Sequence, residues 1–177
     1  MRRTIADLTA PQPGDQQQSE QGFTLIELLI VMSIIIIIVT IALPNITKYK
    51  RQGNETSATA SIRTLVAAQL QYQQTYPQNG YACAIGALGG EKGATPTPAA
   101  AGLIPTDLAG GHKAGYTFAI VNCSKVTVNN QDQYTGYEIT AVPDAIGKTG
   151  DRGFCSDDSQ QIKVDPKGGT SCSQPLQ

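Results

Sequence analysis

The chain has 177 residues, of which 13 are Lys or Arg and 14 are Asp or Glu, for a formal net charge of −1. A balance so near neutral lacks the basic surplus that a phosphate backbone demands, which excludes a nucleic-acid binder driven by bulk electrostatics. The length allows one apolar anchor followed by one small domain of roughly 130 residues, too few for two domains.

Residues 1 to 22 contain Arg2, Arg3, three consecutive glutamines and two prolines. They hold no apolar run of the kind that a secretory signal needs before its cleavage box. The apolar run begins only after Gly22, so a cut at that point leaves the hydrophobic segment on the mature chain. From Phe23 to Leu43 a single charged residue, Glu27, interrupts 21 residues. At about 1.5 Å per residue a helix of that length spans roughly 31 Å, matching a hydrocarbon core of about 30 Å. Arg2 and Arg3 precede the run while Lys48, Lys50 and Arg51 follow it, so the positive-inside rule does not orient it.

Glu27 needs a reason to be there. A carboxylate at the bilayer centre costs about 2.5 to 3.5 kcal/mol, less near a helix end, where it also meets the positive end of the helix dipole. One reading is an interfacial side chain that reaches back to water. The other is a carboxylate awaiting a cation on a neighbouring chain, and cleavage after Gly22 creates one, the α-amine of Phe23. A chain with both groups is complementary to a copy of itself. A mismatched neighbour would then leave a charge buried without a partner, which fixes axial register.

Past Pro44 the pattern stays helical. Ile62, Val66 and Leu70 recur at helical spacing beside Leu65 and Tyr72, with Arg63, Gln69, Gln71 and Gln73 read as the polar side. Pro44 lacks a backbone donor and predicts a kink, and Gly53 is a second soft point. The helix, begun at Thr24, is expected to stop near Tyr76, before the turn signal Pro77-Gln78-Asn79-Gly80. Residues 82 to 115 hold eight glycines and three prolines and read as a long, partly ordered connection. Strand alternation follows at Tyr116 to Val121 and Tyr137 to Val142, with a short third strand at Gln161 to Val164, a piece near Phe154, and Asn129-Asn130 between the first two. The fold class is therefore α+β: a long N-terminal helix with its hydrophobic half protruding, packed against a small antiparallel sheet. The expected division is a leader over 1–22, a transmembrane or filament-core helix over 23–44, and an amphipathic helix half plus head over 45–177.

Cys83, Cys123, Cys155 and Cys172 all follow the apolar run, and none forms a C-x-x-C pattern. Disulfides fit better than zinc or haem, which places the head in an oxidising compartment and the N-terminus in the cytoplasm. Three pairings are open; joining sequence neighbours gives Cys83 with Cys123 and Cys155 with Cys172. The single histidine, His112, lies in a Gly-Gly-His-Lys loop with no second ligand at metal spacing, so it reads as a solvated loop residue. Asp151, Asp157, Asp158 and Asp165 offer oxygen to a calcium ion, but their spacing matches no EF-hand, and Asp in turns serves local hydrogen bonds. No phosphate loop, nucleophile elbow or zincin helix appears, so no catalytic residue and no cofactor is assigned.

The run Gly22-Phe23-Thr24-Leu25-Ile26-Glu27, with an apolar stretch that reaches Pro44, resembles the N-terminus of type IV pilins and pseudopilins. The resemblance implies that a membrane prepilin peptidase cuts after Gly22 and methylates Phe23, and that Glu27 pairs with a neighbour's N-terminus during assembly. It also implies that the helix near Pro44 melts on assembly, and that an inner-membrane assembly platform acts on the chain. The leader would lie in the cytoplasm and the head outside, in agreement with the cysteines. Glu20-Gln21, where many members carry a basic residue, and the long leader depart from the pattern. The implied role is a structural subunit of an extracellular filament. The alternatives are a type II secretion pseudopilin and, from another class, a membrane-anchored periplasmic binding or enzymatic domain that does not polymerise.

Overall fold

The computed structural model describes residues 22–176, with the backbone alone for 42–45. The leader expected over 1–22 therefore lies, apart from Gly22, outside the described residues, as does the side chain of Pro44 on which the kink was predicted. One helix, α1 (Leu25–Thr75), leads the chain. The molecule divides into two compact units, one up to Ile41 and one from Ala42 onward.

In the first unit every apolar side chain from Phe23 to Ile41 is exposed. Its hydroxyls turn inward on the helix: Ser33 Oγ donates to the Leu29 carbonyl at 2.8 Å and Thr40 Oγ1 to that of Ile37 at 2.8 Å. Such back-bonding hides a polar group from an apolar solvent. Among the described residues no single helix is long and apolar enough to cross a membrane; Leu25–Ile41 taken together with Ile46–Thr75 is, by length and composition.

The second unit packs the remainder of α1 against a sheet. Residues 55, 58, 62, 65, 69 and 72 are all buried, and their alternation of three and four keeps them on one helical face. Two members of that stripe are polar. Gln69, read from sequence as part of the exposed side, is fully buried; its amide donates to the Ala82 carbonyl at 2.7 Å and accepts the Ala82 N–H at 2.9 Å. It behaves as an extra peptide unit that pairs with the loop backbone, which is why burial costs it little. Glu55 is the other, described below.

The sheet has six antiparallel strands in sequential order: β1 (His112–Lys113), β2 (Tyr116–Val128), β3 (Gln131–Pro143), β4 (Gly153–Asp157), β5 (Ile162–Asp165) and β6 (Gln174–Pro175). The two long strands exceed the alternation visible in the sequence and form one hairpin, which Asn129 and Asn130 turn with φ of 50° and 64°. Asparagine accepts this left-handed pair, and the resulting twist matches that of the strands. His112 belongs to a strand rather than a loop, its ring Nδ1 within 3.1 Å of Thr117 Oγ1.

Tyr116, Phe118, Ile139, Ala141, Phe154 and Val164 face Ile62, Leu65 and Tyr72 in a single core. The connection contributes to that core too: α2 (Ile85–Leu88) and α3 (Thr106–Ala109) bury Leu88 and Leu108. Cys83 is bonded to Cys123, with Cα atoms 6.0 Å apart, and Cys155 to Cys172, at 5.9 Å. Cys123 follows Asn122, whose φ of 50° marks a register break between Val121 and Ser124. Such a bulge re-aims a side chain, here towards the connection that Cys83 anchors.

Candidate assembly and processing segment

At the start of the described chain, no described atom lies within 4 Å of where a Cβ on Gly22 would stand. Among the described residues nothing requires glycine there. Phe23, next to it, is 92% exposed.

Thr24 and Glu27 close the first turn of α1 on themselves. The Thr24 N–H and Oγ1 both donate to Glu27 Oε2, at 2.9 and 2.6 Å, and the Glu27 N–H donates to Thr24 Oγ1 at 3.3 Å. Thr-x-x-Glu before an apolar run is a capping box, in which two orphan donors of a helix start are satisfied reciprocally. The sequence carried this signal in plain view, and it supplies a role for Glu27 inside a single chain. The carboxylate that the sequence reading reserved for a neighbour's amine thus has donors of its own, and one of its oxygens carries them both.

The other site residues are scattered. Among the described residues no three His, Cys, Asp or Glu side chains come together to hold a metal, so the four aspartates named as calcium candidates do not form one cluster. Asp151 forks to Arg51 at 2.7 and 2.9 Å. Asp157 accepts from Ser159 and from Lys163, contacts that hold its carboxyl below the usual range. Asp165 accepts the N–H groups of Lys167 and Ser171 at 2.8 and 3.1 Å, closing the turn after β5. Asp158 lies exposed in the β4–β5 turn.

Sequence reasoning missed a second constellation. Glu55 Oε1 accepts the N–H groups of Asp151 and Arg152 at 2.9 and 3.1 Å, and Oε2 takes the Arg152 guanidinium through Nε at 2.9 Å and Nη2 at 2.8 Å. Next to it Asn54 donates to the Thr149 carbonyl at 2.8 Å, and one turn earlier Arg51 holds Asp151. Residues 51, 54 and 55 thereby clasp the loop between β3 and β4 to α1. The loop closes from the other side through Tyr116, whose hydroxyl donates to the Arg152 carbonyl at 2.8 Å; burial raises that phenol's pKa.

Residues 17–43 match the family model described as the prokaryotic N-terminal methylation motif. Over 56 residues the chain is 41% identical to the type IV wide pilus major component PilA4 of Thermus thermophilus, covering 32% of this chain and 43% of that one. Over 52 residues it is 40% identical to the type IV major pilin protein PilA of Myxococcus xanthus, covering 29% of this chain and 24% of that one. The N-terminal part of the chain is similar to type IV pilins. It spans less than half the length of these curated relatives, and no solved structure matches it. The α+β architecture, a long helix with a small antiparallel sheet, is seen in this chain itself.

Proposed function

We propose that this chain is a structural subunit of an extracellular type IV pilus-like filament, held first in the inner membrane by a single pass with its N-terminus in the cytoplasm. A prepilin peptidase cuts after Gly22, the α-amine of Phe23 is exposed and methylated, and an inner-membrane assembly platform moves the subunit out of the lipid. Copies then pack helix against helix, so that the partner is the chain itself and the mechanism is assembly, not catalysis.

The observation that carries this reading is the segment from Phe23 to Ile41, helical from Leu25, whose apolar side chains are all exposed and whose Ser33 and Thr40 hydroxyls are bonded to its own backbone. Such a surface suits lipid and the flanks of like helices equally, and moving from one to the other changes little hydrophobic free energy. What discriminates one packing from another is then the polar group, Glu27. Gly22 is compatible with this reading: no described residue crowds that position, which leaves its backbone open to an approaching enzyme.

The test is intact and N-terminal mass spectrometry of material sheared from cells. A chain that starts at Phe23 with an added methyl group, abundant in filaments, is expected. A chain that retains residues 1 to 22, or is confined to membranes, would overturn the surface filament. Processed protein that stays in the envelope would be the result for the type II secretion pseudopilin, and no filament at all that for an anchored periplasmic domain.

A further inference from the structure

The residues that follow the apolar run form a band. Ile46 and Tyr49 are 57% and 69% exposed, and Lys48 and Lys50 are exposed beside them. At about 100° per residue, the stretch from 46 to 50 passes more than once around the helix. A neighbouring helix would need a stripe; a plane that cuts across the axis needs a band.

The loop between β3 and β4 adds to it. Ile146 is 63% exposed and Lys148 is exposed, while the next residues are tied to α1 through Asn54 to the Thr149 carbonyl and Arg51 to Asp151. The clasp therefore holds an aliphatic tip and a lysine against the helix turn that succeeds the band. Lys48, Lys50 and Lys148 have no ion-pair partner among the described residues. The carboxylates nearby are engaged, Asp151 and Glu55 by arginines and Asp144 by the Thr117 hydroxyl at 2.6 Å. Among the described carboxylates of residues 46–55 and 144–151, Asp144 alone has no cation on it.

We propose that this surface, Ile46, Lys48, Tyr49, Lys50, Ile146 and Lys148, rests on an anionic lipid headgroup layer before the subunit enters a filament. The proposal stands on the anchoring just described. Aliphatic tips and a tyrosine ring occupy the interfacial zone, where amphipathic rings settle, and the lysines meet phosphate. Each lysine near an anionic surface contributes about fivefold in occupancy. The contact orients the head on the membrane and is given up when the subunit leaves the lipid.

The full chain in nanodiscs of phosphatidylcholine alone, or of phosphatidylcholine with phosphatidylglycerol, tests it by amide hydrogen exchange. Exchange at residues 144–150 is expected to slow about fivefold or more in the anionic discs. High salt and the triple variant Lys48→Gln, Lys50→Gln, Lys148→Gln should both abolish the difference. The proposal is overturned by equal exchange in both lipids, by protection that survives the triple variant, or by protection that follows the number of chains per disc, which would mark a contact between copies. Failure of the chain to insert into either disc would overturn the anchoring itself and this inference with it, a result separable from insertion without headgroup protection.

Discussion

Replacing Glu55 by Ala would strand the amides of Asp151 and Arg152 and leave a guanidinium without its partner. A buried donor that loses its acceptor costs about 1 to 3 kcal/mol, and removing one partner of a buried ion pair costs about 3 to 5 kcal/mol. Arg152 is itself nearly half exposed and can return to water, so the net expectation is a loss of about 2 to 3 kcal/mol. That corresponds to a fall in Tm of roughly 8 to 12 °C for a head of this size. Glu55→Gln keeps an acceptor for the two amides and should lose about half as much; thermal unfolding followed by circular dichroism compares the two. The position was legible in part. Glu55 and Gln69 both sit on the three-four alternation that runs through Ala58, Ile62, Leu65 and Tyr72, so periodicity alone marks them as inward-facing. What one-dimensional pattern does not contain is the partner: the amides of Asp151 and Arg152 and the peptide of Ala82 become acceptor and donor only once the loops have closed.

The elements follow the sequence where the side-chain period is strong and depart from it where backbone geometry decides. The helix end, the paired strands at Tyr116 and Tyr137 and the turn at Asn129-Asn130 come from residue types with a local reason to be there. By contrast, the outer halves of β2 and β3 bury no side chain, Val126 and Val128 included, so no inward face announces them; they are strands because each is paired with the other. The same logic governs the tail. After β5, residues 166 to 176 contribute a two-residue strand and Leu176 at the core's margin, too little to hold themselves. Cys172 closes a 17-residue separation to Cys155, worth about 3 kcal/mol in the chain-entropy account. The double variant Cys155→Ser, Cys172→Ser is expected to leave the β2–β3 hairpin intact while the tail becomes the first site of proteolytic cleavage. Limited proteolysis with mass mapping checks it, and initial cleavage in residues 82 to 115 instead would show that the connection is the weaker segment.

At the scale of the whole molecule, the first helical turn has two claims on one carboxylate. Within a single chain Glu27 completes the cap with Thr24; in a filament it would also meet the amine of a neighbour's Phe23. The two roles separate because Gln serves a capping box as well as Glu does. Glu27→Gln keeps the helix start and removes the charge, and it lowers the cost of residing in lipid, so any loss of filaments cannot be laid to failed insertion. Glu27→Ala removes both. If the charge sets register, each neighbour contact loses a charge-assisted bond worth about 1.5 to 3 kcal/mol, and subunit addition weakens by roughly tenfold or more per contact. Both variants should then abolish sheared filaments while the processed chain accumulates in the membrane. Should Glu27→Gln assemble like the parent and Glu27→Ala fail, the cap alone would account for the residue, and the register of the helices would have to come from the packing of apolar side chains between Phe23 and Ile41. Filament yield by shearing, set against membrane-bound processed protein in the same cells, decides between the two.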